Sequence, residues 1–140
     1  MRRQASKMLA ALGLAALLGG SAAAAELQNN LKVTVPFNFE AGRTLLPAGQ
    51  YSIQRLSLPG TLMIRGLDNS EVIYVRVIPT ERYREDLRAR LVFHKYGDRY
   101  FLAQIWNAGA LTGAELPKSK QEREMSASVR PERVLLVARK

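Results

Sequence analysis

The stretch Leu91–Trp106, LVFHKYGDRYFLAQIW, decides how this chain folds. Two runs rich in aromatic and β-branched residues flank Gly97-Asp98, and that pattern specifies a β-hairpin closed by a two-residue turn. Glycine at the first central position points to a type II′ turn, because only glycine enters the required φ > 0 region without steric cost. The turn then fixes the pairing: Tyr96 opposite Arg99, Lys95 opposite Tyr100, His94 opposite Phe101, Phe93 opposite Leu102 and Leu91 opposite Gln104. Continued along both strands, it puts Leu91, Phe93, Tyr100, Leu102 and Trp106 on one face. Val92, His94, Tyr96, Phe101, Ala103 and Ile105 fall on the other. Neither face is polar enough to meet solvent, so the hairpin belongs inside a sandwich, inside a small barrel, or beneath a helix.

Upstream of the hairpin the chain reads as strands and turns. Leu31–Phe39 alternates apolar and polar residues, as a half-buried strand does. Pro36 removes one ladder donor and directs that strand to a sheet edge or a bulge. Tyr51–Leu58 is a second strand, whose apolar positions shift phase as if bulged at Gln54-Arg55. Pro59-Gly60 turns the chain into Thr61–Leu67, with Leu62 and Ile64 inward, and Asp68–Ser70 turns it again into Glu71–Ile78. Downstream, Asn107–Leu116 reads as a glycine-containing loop and Ser119–Ser128 as a short helix opened by a Ser119–Glu122 capping box. Arg133–Ala138 closes the domain as a strand apolar enough for burial on both faces. The fold expected is all-β: an antiparallel β-sandwich or small barrel of about seven strands, with one short C-terminal helix.

Residues 1–25 carry the three-part pattern of a signal peptide. Arg2, Arg3 and Lys7 precede the apolar run Met8–Leu18, and Ala22–Ala25 supplies small residues for cleavage. The apolar run is shorter than the roughly 20 residues that span a bilayer. The expected product is a single all-β domain, residues 26–140, in the periplasm or secreted, with no transmembrane segment after cleavage. There is no cysteine, so neither a disulfide nor a lipid-carrying thiol is available, and the hydrophobic core has to supply the stability. The formal net charge of the whole chain is +9. Cleavage would remove three basic residues and no acidic one, leaving a basic domain suited to anionic partners as well as to solubility.

Chemistry-bearing motifs are sparse. His94 is the sole histidine, and its expected cross-strand neighbour is Phe101, so it reads as structural. Glu122 falls in the helix cap and Glu124 on the polar helix face, which leaves no evident carboxylate pair with Glu115. No phosphate-binding glycine loop and no metal-ligand spacing are present, and no catalytic residue and no cofactor are assigned. The segment PTERYREDLRAR, residues 79–90, is densely charged. Its interleaved acids make it a solvated connection, while Arg82, Tyr83, Arg84, Arg88 and Arg90 make it the candidate for binding a polyanion.

Three segments together carry a family resemblance. VPFNFEAGRTLLPAGQYSI (Val35–Ile53), FHKYGDRYFLAQIW (Phe93–Trp106) and ELPKSKQERE (Glu115–Glu124) resemble a group of uncharacterised exported bacterial proteins. Those share a V-P-F-x-F opening, L-P-A-G-x-Y, an aromatic Y-G-D-x-Y-F-L hairpin and a polar helix containing E-R-E. The resemblance implies export and carries no catalytic residue with it. The functional reading is a non-enzymatic binding or structural module of the cell envelope, whose partner is an envelope component or an anionic polymer. The alternatives are a polyanion-binding protein that uses the segment from Arg82 to Arg90, and a hydrolase of unrecognised type.

Overall fold

Pro36 ends the first strand rather than bending it. In a computed structural model, which describes residues 30–82 and 86–138, β1 (Asn30–Val35) stops one residue before that proline. The chain then resumes as the short hairpin of β2 (Phe39–Ala41) and β3 (Thr44–Leu46). Next come β4 (Gly49–Arg55), β5 (Thr61–Gly66) and β6 (Val72–Arg76), which pair in sequence beside β1 as a four-stranded antiparallel sheet ordered β1-β4-β5-β6. Position 77 breaks the run expected to continue to Ile78. The chain crosses there to a second sheet as β7 (Ile78–Glu81).

That second sheet is built on the central hairpin, β8 (Arg90–Tyr96) and β9 (Arg99–Trp106). β10 (Thr112–Glu115) joins β9 to β7, and β11 (Glu132–Val137) lies along β8 at the far edge. One parallel contact, Glu40 with Phe101, attaches β2 to β9. The helix α1 (Lys120–Ser126) precedes β11, so it is not the last element of the chain. The two sheets form a sandwich and do not close into a barrel.

The turn is as expected. Gly97 has φ +60°, and no non-glycine residue among the described residues has positive φ, so only the first central residue is left-handed, as in type II′. Pairing holds from Tyr96–Arg99 to Phe93–Leu102 and then slips. Ala103 is an extra residue in β9, so Val92 pairs with Gln104 and Leu91 with Ile105. The bulge exchanges faces beyond it. Ile105 joins Leu91, Phe93 and Leu102 in the main core, and Trp106 turns to the opposite face.

Between the sheets, Phe93 is fully buried with Phe37 and Phe39 edge-on to it, at centroid distances of 4.9 and 5.6 Å. Val33, Val35, Tyr51, Ile53, Leu62 and Ile64 pack from the first sheet. Leu62 and Ile64 point inward as the alternation requires.

Other expectations are corrected. Eleven short strands stand among the described residues where about seven are expected: Pro36 and the crossover at position 77 each split an apolar run, and β3 and β10 form outside the expected strands. β4 pairs with β5 in unbroken register, so the phase shift near Gln54-Arg55 marks the strand's end and not a bulge. The segments read as loops at 79–90 and 107–116 contribute β7 and β10, which pair with each other. β11 is an edge strand, and its Leu135 and Val137 are exposed rather than buried. The leader expected at 1–25 lies outside the described residues. No helix among the described residues is long and apolar enough to cross a membrane.

Candidate functional site

Arg82, Arg88 and Arg90, the described arginines of the segment from Arg82 to Arg90, are engaged within the protein. Arg82 donates from Nε to the carbonyl of Ala110 (2.9 Å), from Nη1 to that of Arg88 (3.0 Å) and from Nη2 to that of Asn107 (3.1 Å). Its guanidinium also lies 4.8 Å from the Trp106 ring centroid. Burial, and secondarily the charge of Arg90, pull that guanidinium below its ordinary pKa. Arg88 makes a two-point ion pair with Asp86, and Arg90 reaches the same carboxylate at 3.1 Å. Hydrogen bonds from the Arg88 side chain and backbone hold the Asp86 carboxyl well below the usual carboxylate range. Arg82, Arg88 and Arg90 are therefore brought together around internal acceptors, and of these three Arg88 stays mostly exposed. Tyr83 and Arg84 lie outside the described residues.

A different set of cations faces open space. A groove of about 1150 Å³ runs along β6 and its crossover, between the β2–β3 turn and the start of α1. Arg43, Arg76, Lys118, Lys120 and Arg123 line it, and no acidic side chain among the described residues does. All five are exposed, and none makes an ion pair among the described residues. Leu58, Tyr74 and Ile78 add exposed apolar surface to the same groove. These residues come from turns, an edge strand and a helix start that are far apart in sequence. A search for charged runs misses them, and no local motif marks them.

One wall of the groove is held in place by a buried polar cluster. Glu122 follows the N-cap Ser119, whose Oγ accepts from the Glu122 N–H at 3.2 Å. In a full capping box the Glu122 carboxylate would turn back to the Ser119 backbone. Instead it is buried against the sheet. Tyr96 donates its hydroxyl to Glu122 Oε2 at 2.9 Å, and His94 Nδ1 lies 2.9 Å from the same oxygen. Arg99 adds an outer clamp, bonding the Glu40 carboxylate at 2.7 Å and Gln121 at 2.9 Å. His94 thus has a carboxylate partner that no local sequence pattern assigns to it. The sequence pattern puts Glu122 in the cap and Phe101 beside His94. The pairing with Phe101 is real, and the carboxylate arrives from the helix above. No group of three potential metal ligands forms among the described residues.

Burial, followed by the hydrogen bond to Glu122 and its charge, pushes the Tyr96 hydroxyl up to about 12. The unfolded chain ionises this group near 10. Protonated Tyr96 therefore contributes stability that is complete below about pH 10 and is lost as pH rises through about 12. Alkaline titration followed by tyrosinate absorbance should show a late component that Tyr96→Phe diminishes by one tyrosine's amplitude. An undiminished late component would assign it to another ring.

No family model, no curated protein and no solved structure matches this chain.

Proposed function

We propose that this protein is an exported, non-enzymatic binding module of the cell envelope, and that the groove along β6 holds its anionic partner. The observation that carries the reading is the set of five cations around a partly apolar groove, with no ion pair to them and no acid in the lining among the described residues. Uncompensated like charge in one concavity raises the local concentration of anions and speeds their encounter. The leader-like pattern at residues 1–25 supports export. The His94–Glu122–Tyr96 hydrogen bonds fasten a helix to a sheet, which favours a structural role for His94 over a catalytic one. A polyanion-binding role moves with the free charge, from the Arg82–Arg90 segment to the groove.

Fluorescence anisotropy with labelled heparin and labelled polyglutamate tests the proposal. Binding should weaken steeply with salt, as electrostatic association does. The triple variant Arg43→Gln/Lys118→Gln/Arg123→Gln should bind more weakly and with a shallower salt dependence, while Arg88→Gln should bind like the parent. Loss of binding in Arg88→Gln alone would return the site to the charged segment. Failure of both polymers to bind at low salt would remove the proposal.

A further inference from the structure

The hydrogen-bond phase of the first sheet shows what kind of anion the groove is built to receive. The Val77 N–H donates to the Gly60 carbonyl at 2.9 Å, and the Gly66 N–H donates to the Glu71 carbonyl at 2.7 Å. These two bonds bracket the β5–β6 ladder, which pairs Thr61 with Arg76 through to Arg65 with Val72. Antiparallel ladders alternate between bonded and non-bonded pairs. The backbone groups of residues 71, 73, 75 and 77 therefore point at β5. Those of Val72, Tyr74 and Arg76 point the other way, and β6 is the last strand of its sheet. No described residue pairs with that side of β6.

Natural sheet edges are guarded by proline, charge, bulges or covering elements. Here Pro36 follows β1, Pro79 lies within β7 and Pro131 precedes β11. β6 has no proline, and among its exposed side chains Val72 and Tyr74 stand beside Arg76. Tyr74 and Arg76 line the groove that holds the cations, so the open edge and the free positive charge share one concavity.

We propose, resting on the binding reading above, that the partner is an acidic, extended peptide segment of another protein, which adds to β6 as a fifth strand. In strand addition, main-chain hydrogen bonds supply affinity and flanking side chains supply selectivity. Val72, Tyr74 and Arg76 offer the main-chain groups, and Arg43, Lys118, Lys120 and Arg123 select carboxylates. A second copy of this chain is the wrong occupant, since edge-to-edge pairing would oppose two sets of the same cations. The chain's own residues 1–29 also lack complementarity, with Arg2, Arg3 and Lys7 against the single acid Glu26. A lipid headgroup or a polysaccharide would meet the cations and leave the strand's amides unused.

The test is titration of the protein with a short labelled peptide that alternates Glu and Val, beside the same peptide N-methylated at alternate residues. A Lys-Val peptide is the charge control. The Glu-Val peptide should bind and the Lys-Val peptide should not. N-methylation should weaken binding about tenfold or more, as loss of main-chain bonds to an exposed edge requires. Tyr74→Pro should weaken the Glu-Val peptide similarly, because the Tyr74 N–H serves the open edge and no ladder bond within the protein. Tyr74→Ala should weaken it less, and the urea midpoints of both variants report whether the fold is kept. Equal affinity for the N-methylated peptide overturns strand addition irrespective of how either variant folds. If heparin still binds through the groove in that case, the anion-binding reading survives and the partner is not a strand. If no anionic probe binds, both fall together.

Discussion

Trp106→Ala should leave the protein barely folded. Trp106 is 2% exposed although it lies off the main core. It fills the outer face of the central hairpin, and three neighbours depend on it. The Arg82 guanidinium sits over its ring, Nε1 donates to Gln104 Oε1 at 3.1 Å, and Gly113 of β10 rests directly against the indole. That last contact is so close that a Cβ placed on Gly113 would come within 2.5 Å of the ring carbon Cε3. Glycine is the residue that lets β10 lie this near to β9. Removing the ring opens a cavity under a strand and strips the stacking surface from an arginine whose three guanidinium nitrogens are already committed to loop carbonyls. Truncating a buried aromatic costs about 3–5 kcal/mol. A domain of this size has only about 5–15 kcal/mol in total. Urea unfolding should show a correspondingly large fall in midpoint. Because Trp106 is the sole tryptophan, its native emission should be blue-shifted and poorly quenched by acrylamide. Ready quenching together with a stable variant would put the ring at the surface and make this hairpin a ligand platform.

The place of Trp106 also marks how far the sequence is legible. A two-residue turn sets pairing for as long as the ladder is regular, and here that is from Tyr96 to Phe93. The bulge at Ala103 has no glycine, proline or charge to announce it. Beyond it the two faces exchange, so Phe93 and Trp106 are both buried but on opposite sides of the hairpin. The expectation that both hairpin faces are covered survives this, because it depends on composition and not on register. The inner face meets the first sheet. The outer face is covered by α1 through Glu122 and Gln121, and by Arg82. Short strands such as β10, whose Gly113-Ala114 has little β propensity, form because β7 and β9 flank them. Such strands cannot be read from local pattern. The groove is hidden for a related reason. Its cations become neighbours only when the β2–β3 turn, β6 and the start of α1 are brought to one end of the sandwich.

One motif both informed and misled. Ser119 and Glu122 locate the helix start correctly, yet the capping box uses Glu122 on paper and so hides the partner of His94 and Tyr96. Glu122→Ala measures what that carboxylate does. The substitution keeps the backbone N–H that Ser119 caps, and it removes the acceptor shared by the Tyr96 hydroxyl and His94. Tyr96 is buried and would be left without this partner, at a cost of about 1–3 kcal/mol. His94 is partly exposed and can turn to water, so it adds less. Urea unfolding should therefore show a midpoint well below that of an exposed-glutamate control such as Glu124→Ala. A double-mutant cycle with Tyr96→Phe should return a coupling of about 0.5–3 kcal/mol, as for residues in one buried network. The loss should extend to the groove, which Glu122 does not line. Lys120 and Arg123 ride on the helix that Glu122 fastens, so Glu122→Ala should weaken heparin binding even though removal of a negative charge would by itself strengthen it. Tighter heparin binding with an unchanged midpoint would show that the helix holds its place without this carboxylate, and that Glu122 acts on the groove only through its charge.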